Sequence, residues 1–319
     1  MDAQLPVPFI VGSVRSGTTM FCLMLNAHPE MAMGFESYFV PRMATMRHRW
    51  EQPDGFHLDQ YVDDLLEHPS GQSFREHMAI PGEVLRAQLH GVAPIDYAEA
   101  VRRVYRLYAT REGKARYGEK TAGYIPRLTE LAALFPETRF LHIVRDGRDA
   151  ACGQRDASWG ANDLMDAGRE WVRQATNISD FGRAAGADRY LEVRYEDLVD
   201  DPERVLRSVC SFVELDYAPR MHDYHVEGAS VLVGADAVEA SHQSTNLPPT
   251  RGLRDWRRDL DRRDLERLET TIGDALERFG YTRETQPSLR TRFETTAGRI
   301  ARFARRLPRH LRRRRKKRT

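Results

Sequence analysis

The run Gly12-Ser13-Val14-Arg15-Ser16-Gly17-Thr18-Thr19 has the composition of an anion cradle. The apolar Phe9-Ile10-Val11 before it predicts a strand, and the residues from Thr19 to Leu25, closed by Pro29, predict a helix. Backbone N–H groups in such a turn, backed by the positive end of the helix, bind phosphate or sulfate oxygens. The spacing nearly matches a Walker A loop, but Thr18 stands where a triphosphate-binding loop has Lys. Arg15 offers instead a planar, permanently charged fork suited to a compact anion. Taken alone, the run also fits an ordinary strand-to-helix turn. A nucleotide kinase is the second chemical reading, and Thr18 argues against it.

These residues need a frame. A second apolar run, residues 139–144, precedes Arg145-Asp146-Gly147 and a helix expected to begin near Asp149. A third, residues 189–193, leads to a helix ending near Phe212, with Asp201 as N-cap and Pro202 at the first helical position. Helical patterns cover residues 97–108, 126–135, 163–183 and 261–278. Residues 43–96 lack strong periodicity and read as loops and short helices over one side of the site. Strands alternating with helices predict an α/β fold of three layers, P-loop-like, around a central parallel sheet. A domain over residues 1–286 followed by a basic helical tail over 287–319 is the expected division.

The segment from Phe9 to Thr19, followed by Leu25-Asn26-Ala27-His28-Pro29-Glu30 and then Glu36, resembles the 5'-phosphosulfate loop of sulfotransferases that use 3'-phosphoadenosine 5'-phosphosulfate (PAPS). It is closest to the tyrosylprotein sulfotransferases and related bacterial sulfotransferases. Four further blocks agree in order: Gly118-Glu119-Lys120-Thr121; Phe140 to Asp149; Val193-Arg194-Tyr195-Glu196-Asp197-Leu198 with Pro202-Glu203; and Arg251-Gly252-Leu253-Arg254-Asp255-Trp256. Together they cover about residues 7–281.

The resemblance implies a sulfotransferase moving a sulfuryl group from PAPS to a hydroxyl, and it implies roles. Arg15, Ser16, Gly17, Thr18 and Thr19 hold the 5'-phosphosulfate. Arg145 and Arg251 hold the 3'-phosphate, with Gly252 letting the backbone approach. The family's serine eight residues after this arginine is Gly153 here, and Arg155 is placed to supply the missing charge. Tyr195 lies near the adenine. Glu36 is the general base, by position in the tyrosylprotein enzymes. His28, at an Ala-His-Pro helix end, reads as structural. Lys120 and Arg15 stabilise the leaving oxygen, and Ser241 assists there. These cationic side chains replace a metal, and no metal is expected. The acceptor lies beneath residues 43–115, and its class, whether protein tyrosine, carbohydrate, lipid or small molecule, stays open.

With 319 residues, 41% of them hydrophobic, the chain can bury a large core. Cys22, Cys152 and Cys210 are too few and too far apart for a disulfide framework or zinc site, and read as small core residues. No apolar run is long enough to cross a bilayer, and residues 1–8 lack a secretory start, so the cytosol is the expected location. The net charge of +2 hides twelve Lys or Arg within residues 299–319; without them 37 basic residues face 47 acidic ones, a charge of −10. An acidic body with a basic tail does not resemble a protein that wraps nucleic acid over its main surface, and no specific nucleic-acid partner is expected. Residues 289–307 have an amphipathic helical pattern running into a basic stretch, which suits attachment to an anionic membrane surface, at its inner face, or a solvated polycation.

Overall fold

A computed structural model of the chain describes residues 5–90, 96–157, 163–227 and 246–286. Ser241 and the basic tail lie outside the described residues. The first elements are β1 (Val7–Gly12), α1 (Thr18–Asn26), β2 (Met31–Phe35) and α2 (Phe39–Ala44). A hairpin of β3 (Glu51–Gln52) and β4 (Gly55–Phe56) follows, then α3 (Leu58–Glu67), α4 (Gln72–His77), α5 (Gly82–His90) and α6 (Tyr97–Arg111). Next come β5 (Arg116–Lys120), α7 (Leu128–Leu134), β6 (Thr138–Val144), α8 (Gly147–Arg155) and α9 (Leu164–Ala185). The remainder is β7 (Tyr190–Arg194), α10 (Tyr195–Asp200), α11 (Pro202–Phe212), α12 (Tyr224–Glu227), α13 (Trp256–Asp259) and α14 (Arg262–Arg278). The described residues fall into two compact units, one from those up to 145 with those in 173–253, the other from those in 146–172 with 254–286.

The first unit holds a five-stranded sheet in the order β2-β5-β1-β6-β7, and every pair in it is parallel. Parallel strands are buried on both faces, and β1 is buried along its whole length. Alternation along the strands divides the core in two. Phe9, Val11 and Phe140 pack with α2, α3, α5, α6 and α7 on one face. Ile10, Leu141 and Ile143 pack with α1 and α11 on the other. These are the three layers expected from the sequence. Phe9 meets Phe135 and Phe140, each at 6.1 Å between ring centres.

Most elements follow the sequence reading. Asp201 accepts from Arg204 N at 3.2 Å with Pro202 in the first turn, as its residue types predict. The three cysteines are buried and unpaired with one another. Two strands of the five-stranded sheet, β2 and β5, and the β3–β4 hairpin were not anticipated. β5 carries Arg116, Glu119 and Lys120, all buried, which is the opposite of a strand's apolar signature. Arg116 is accommodated because its guanidinium donates to the carbonyls of Pro6, Val213 and Glu214 at 2.5 to 2.8 Å. Gly118 lets β5 approach its neighbours: a Cβ there would lie 2.6 Å from Met33 Sδ and 2.8 Å from Pro8 O.

In the second unit, Asp146 caps α8 by accepting from Arg148 N at 2.9 Å. Arg148 then bridges Asp146 and Glu269 at 2.7 and 2.5 Å, and lies 4.0 Å over the Trp256 ring. Glu269, on α14, also accepts from the backbone of Glu284 and Thr285. Asp149 accepts from Trp256 N at 2.8 Å. Most charges of the Asp146-Gly147-Arg148-Asp149 stretch are therefore consumed in holding α8, α13 and α14 together.

Candidate functional site

Because all five strands run the same way, their carboxyl ends meet along one edge of the sheet, where α/β folds bind ligands. Five sequence-distant positions arrive there: the 13–17 loop after β1, Glu36 after β2, Lys120 at the end of β5, Arg145 just past β6 and Tyr195 after β7.

The 13–17 loop has the backbone of an anion site. Arg15 and Gly17 both adopt left-handed conformations, with φ of 67° and 92°. Gly17 is the N-cap of α1 and gives no side-chain cap to its first turn, which contains no acidic residue. Such a helix start leaves N–H donors for an external anion. The loop is fixed from within by Ser13 Oγ and Ser16 Oγ at 2.5 Å and by Ser16 N donating to Ser13 O at 3.1 Å. From outside, Val14 N donates to Gln174 Oε1 at 3.0 Å. Thr18 begins the helix and Thr19 follows half-buried. Gly17 must be glycine twice over, since a Cβ would also lie 2.4 Å from Tyr195 Cδ2. The Tyr195 ring therefore lies against the loop, and the buried Arg145 guanidinium stacks on it at 4.3 Å. Tyr195, which the resemblance puts beside the adenine, has its ring between the loop and Arg145.

Glu36 and Lys120 meet directly. The β2–β5 register sets Phe35 opposite Lys120, and Glu36 N donates to Lys120 O at 2.8 Å. Lys120 Nζ lies 2.5 Å from Glu36 Oε1 and 4.0 Å above the Phe35 ring. Burial by itself would push the Glu36 carboxyl up, but the Lys120 ammonium, with the Tyr38 hydroxyl and Ala122 N–H, holds it below the usual range. His77 on α4 stands edge-on to Phe35 at 6.2 Å between ring centres, and burial keeps its ring more readily neutral than usual. A depressed carboxylate touching a buried ammonium at a strand end can accept a proton and place positive charge beside it.

His28 is structural, as its sequence context suggests. Its Nδ1 accepts from Glu30 N at 3.1 Å, which leaves Nε2–H to donate to Asp216 O at 2.8 Å. Arg251 is exposed and pairs with Asp200, the last residue of α10, while Tyr195 is its first; Gly252 follows at φ 70°. Gly153 is buried within α8 in the second unit, and Arg155 closes that helix, donating to Asp156 at 2.9 Å. Asp156 also accepts from Arg254 at 2.8 Å. Phe35, Ser37, Tyr38, Glu119 and Gln174 were not foreseen. Glu119 stood inside a quoted block next to Lys120, but a residue 160 positions from Val14, such as Gln174, leaves no local signal. Among the described residues no group of three or more His, Cys, Asp or Glu could hold a metal ion.

Residues 6–219 match the family model described as the Sulfotransferase family. That span contains Arg15, Glu36, Lys120, Arg145 and Tyr195, whereas Arg251 lies beyond it. Protein-tyrosine sulfotransferase 1 of Danio rerio is 26% identical over 297 residues, 90% of this chain and 75% of that protein. Protein-tyrosine sulfotransferase 2 of Gallus gallus is 26% identical over 255 residues, 77% of this chain and 61% of that one. Among solved structures, the sulfotransferase domain from the Synechococcus PCC 7002 olefin synthase superposes with a TM-score of 0.58 at 23% identity, covering 88% of this chain and 98% of its own, a likeness of fold.

Proposed function

This chain belongs to the sulfotransferase family, and from that premise we propose that it transfers the sulfuryl group of PAPS to a hydroxyl by in-line displacement, with Glu36 as general base. The observation that carries the reading is the Glu36–Lys120 pair at 2.5 Å, on the same sheet edge as the left-handed anion loop of Arg15 and Gly17.

In this reading the 13–17 loop and the α1 N-terminus bind the 5'-phosphosulfate. The acceptor oxygen attacks sulfur on the side opposite the bridging oxygen. Its proton passes to Glu36, and the bridging S–O bond breaks with its electron pair staying on the 5'-phosphate. Lys120 and Arg15 meet the charge that grows there; fixed cations in a water-poor site are worth most at such a point. Arg145, stacked on Tyr195 beside the loop, is assigned to the 3'-phosphate, with Arg251 and Arg155 as further candidates. Ser241 keeps its assignment beside the leaving oxygen. The position of His77 beside Phe35 supports placing the acceptor under residues 43–115. The relatives are named for protein tyrosine, which makes a peptidyl tyrosine the first acceptor to assay.

Titration calorimetry with adenosine 3',5'-bisphosphate and with ATP plus Mg²⁺ tests the donor assignment. Tight binding of the bisphosphate supports it. Binding of Mg·ATP alone would point to a kinase.

A further inference from the structure

Lys120 has a buried neighbour that the proposed mechanism does not use. Successive residues of a strand face opposite sides, so Glu119 leaves the Lys120 side and enters the other core. It is 1% exposed there. Burying a carboxyl is costly unless it is hydrogen-bonded, and this one is. Tyr105 OH, on α6, donates to Glu119 Oε2 at 2.6 Å, and Thr121 Oγ1 donates to Oε1. Ser37 Oγ lies 3.2 Å from Tyr105 OH and 3.0 Å from Tyr124 OH. A phenol has one proton. That of Tyr105 goes to Glu119, so Ser37 donates to Tyr105 and Tyr124 donates to Ser37. The protons form a directed chain, Tyr124 to Ser37 to Tyr105 to Glu119. Gly34 makes room for its end, since a Cβ there would lie 2.4 Å from Glu119 Oε2.

The chain grips a strained turn. Ser37 sits between Glu36 and Tyr38, which both hold left-handed backbones at φ 48° and 49°. Such a conformation is strained for a non-glycine residue and persists only where the surroundings dictate it. Neither is a glycine, so the turn relies on its contacts: Glu36 N on Lys120 O and the Ser37 hydroxyl between two buried tyrosines.

We propose that Glu119 is a positioning residue: through Tyr105 and Ser37 it fixes the turn that presses the Glu36 carboxylate against Lys120. The inference deepens the proposed function, since it concerns the residue named there as the base. Burial pushes Glu119 up, while hydroxyl hydrogen bonds, those of Thr121 and Tyr105 among them, pull it back, so its own ionisation depends on the same chain. The titratable groups around Glu36 are Lys120 and Glu119 on β5, Tyr38 in its own turn, His77 on α4 and Cys22 on α1.

The test needs neither donor nor acceptor, so failure of the sulfotransfer reading would be seen separately in the calorimetry above. Protein labelled with ¹³C at glutamate carboxyls is titrated by NMR, and the Glu36 signal is identified by its loss in Glu36→Gln. Ser37→Ala and Tyr105→Phe cut the chain and leave every charge in place. Each is expected to move the Glu36 titration upward by about half a pH unit or more, as the carboxylate loosens from Lys120. Glu119→Ala and Glu119→Gln remove the same charge, so the difference between them reports the chain alone. Gln retains an acceptor for Tyr105 and should bring the titration back toward that of the parent. A Glu36 titration unmoved in Ser37→Ala and Tyr105→Phe overturns the proposal, as does one that is the same with Ala and with Gln at position 119.

Discussion

Lys120 Nζ lies 2.5 Å from Glu36 Oε1, and the two are joined a second time by Glu36 N donating to Lys120 O at 2.8 Å. One strand pair thus places a carboxylate and an ammonium in register, and the roles proposed for them can be separated by mutation. Glu36→Gln is expected to lower kcat by about 10²–10⁴-fold while leaving affinity for adenosine 3',5'-bisphosphate within about twofold. Lys120→Ala should cost about 10²-fold or more in rate through lost charge stabilisation. Steady-state kinetics beside calorimetry checks both; a Glu36→Gln enzyme near full rate would remove Glu36 from the chemistry.

The same pair sets a pH dependence. Glu36 must be ionised to take a proton, and its folded carboxyl is held below the usual range despite the opposing effect of burial. The kcat/KM profile should therefore fall on the acid side only below the ordinary glutamate pKa of about 4.3. The pair's contribution to stability has the same sign: full above the unfolded value, lost as pH falls through the lower folded one. In Lys120→Ala burial is no longer opposed by the ammonium, so the acid limb of the residual rate should move to higher pH. A limb that stays in place would mean that another group titrates.

Gly17 tests the loop. A Cβ would lie 2.4 Å from the Tyr195 ring, and its φ of 92° is left-handed. Gly17→Ala should destabilise the fold by about 1 kcal/mol or more in urea titration and weaken adenosine 3',5'-bisphosphate at least tenfold. Unchanged affinity would show that the anion does not use this turn.

The loop, the strands β1, β6 and β7 and the Asp201 cap were legible because each rests on a local pattern: an apolar run, a glycine turn, an Asp before Pro202. Glu36 and Lys120 were legible only through resemblance, 84 residues apart with nothing local to link them. β5 was hidden because its buried Glu119 and Lys120 look like surface charges until Tyr105, Thr121 and Glu36 come around them. Of the Arg145-Asp146-Gly147-Arg148-Asp149 run only Arg145 carried an assigned role; Arg148 is held by Glu269 and Asp149 by Trp256 N, partners more than 100 residues away that no local pattern discloses.

Arg155 is proposed to supply the charge missing at Gly153. It already donates to Asp156, which also holds Arg254. If it reaches the 3'-phosphate, Arg155→Ala should weaken adenosine 3',5'-bisphosphate about tenfold more than adenosine 5'-phosphate, a charge-assisted bond being worth about 1.5–3 kcal/mol. Equal weakening of the two ligands would assign Arg155 to the fold of its own unit.

Transfer itself is the most direct measurement. The protein is incubated with ³⁵S-labelled PAPS and a tyrosine peptide, and in parallel with extracts of its source cells, in excess EDTA. Labelled product and adenosine 3',5'-bisphosphate are then quantified by mass spectrometry and chromatography. We expect one bisphosphate released per label transferred, persistence in the chelator because Lys120 and Arg15 supply the positive charge, and loss of label in Glu36→Gln. Label that stays on the donor with every acceptor, or phosphate transfer from Mg·ATP in its place, would contradict the sulfotransferase reading.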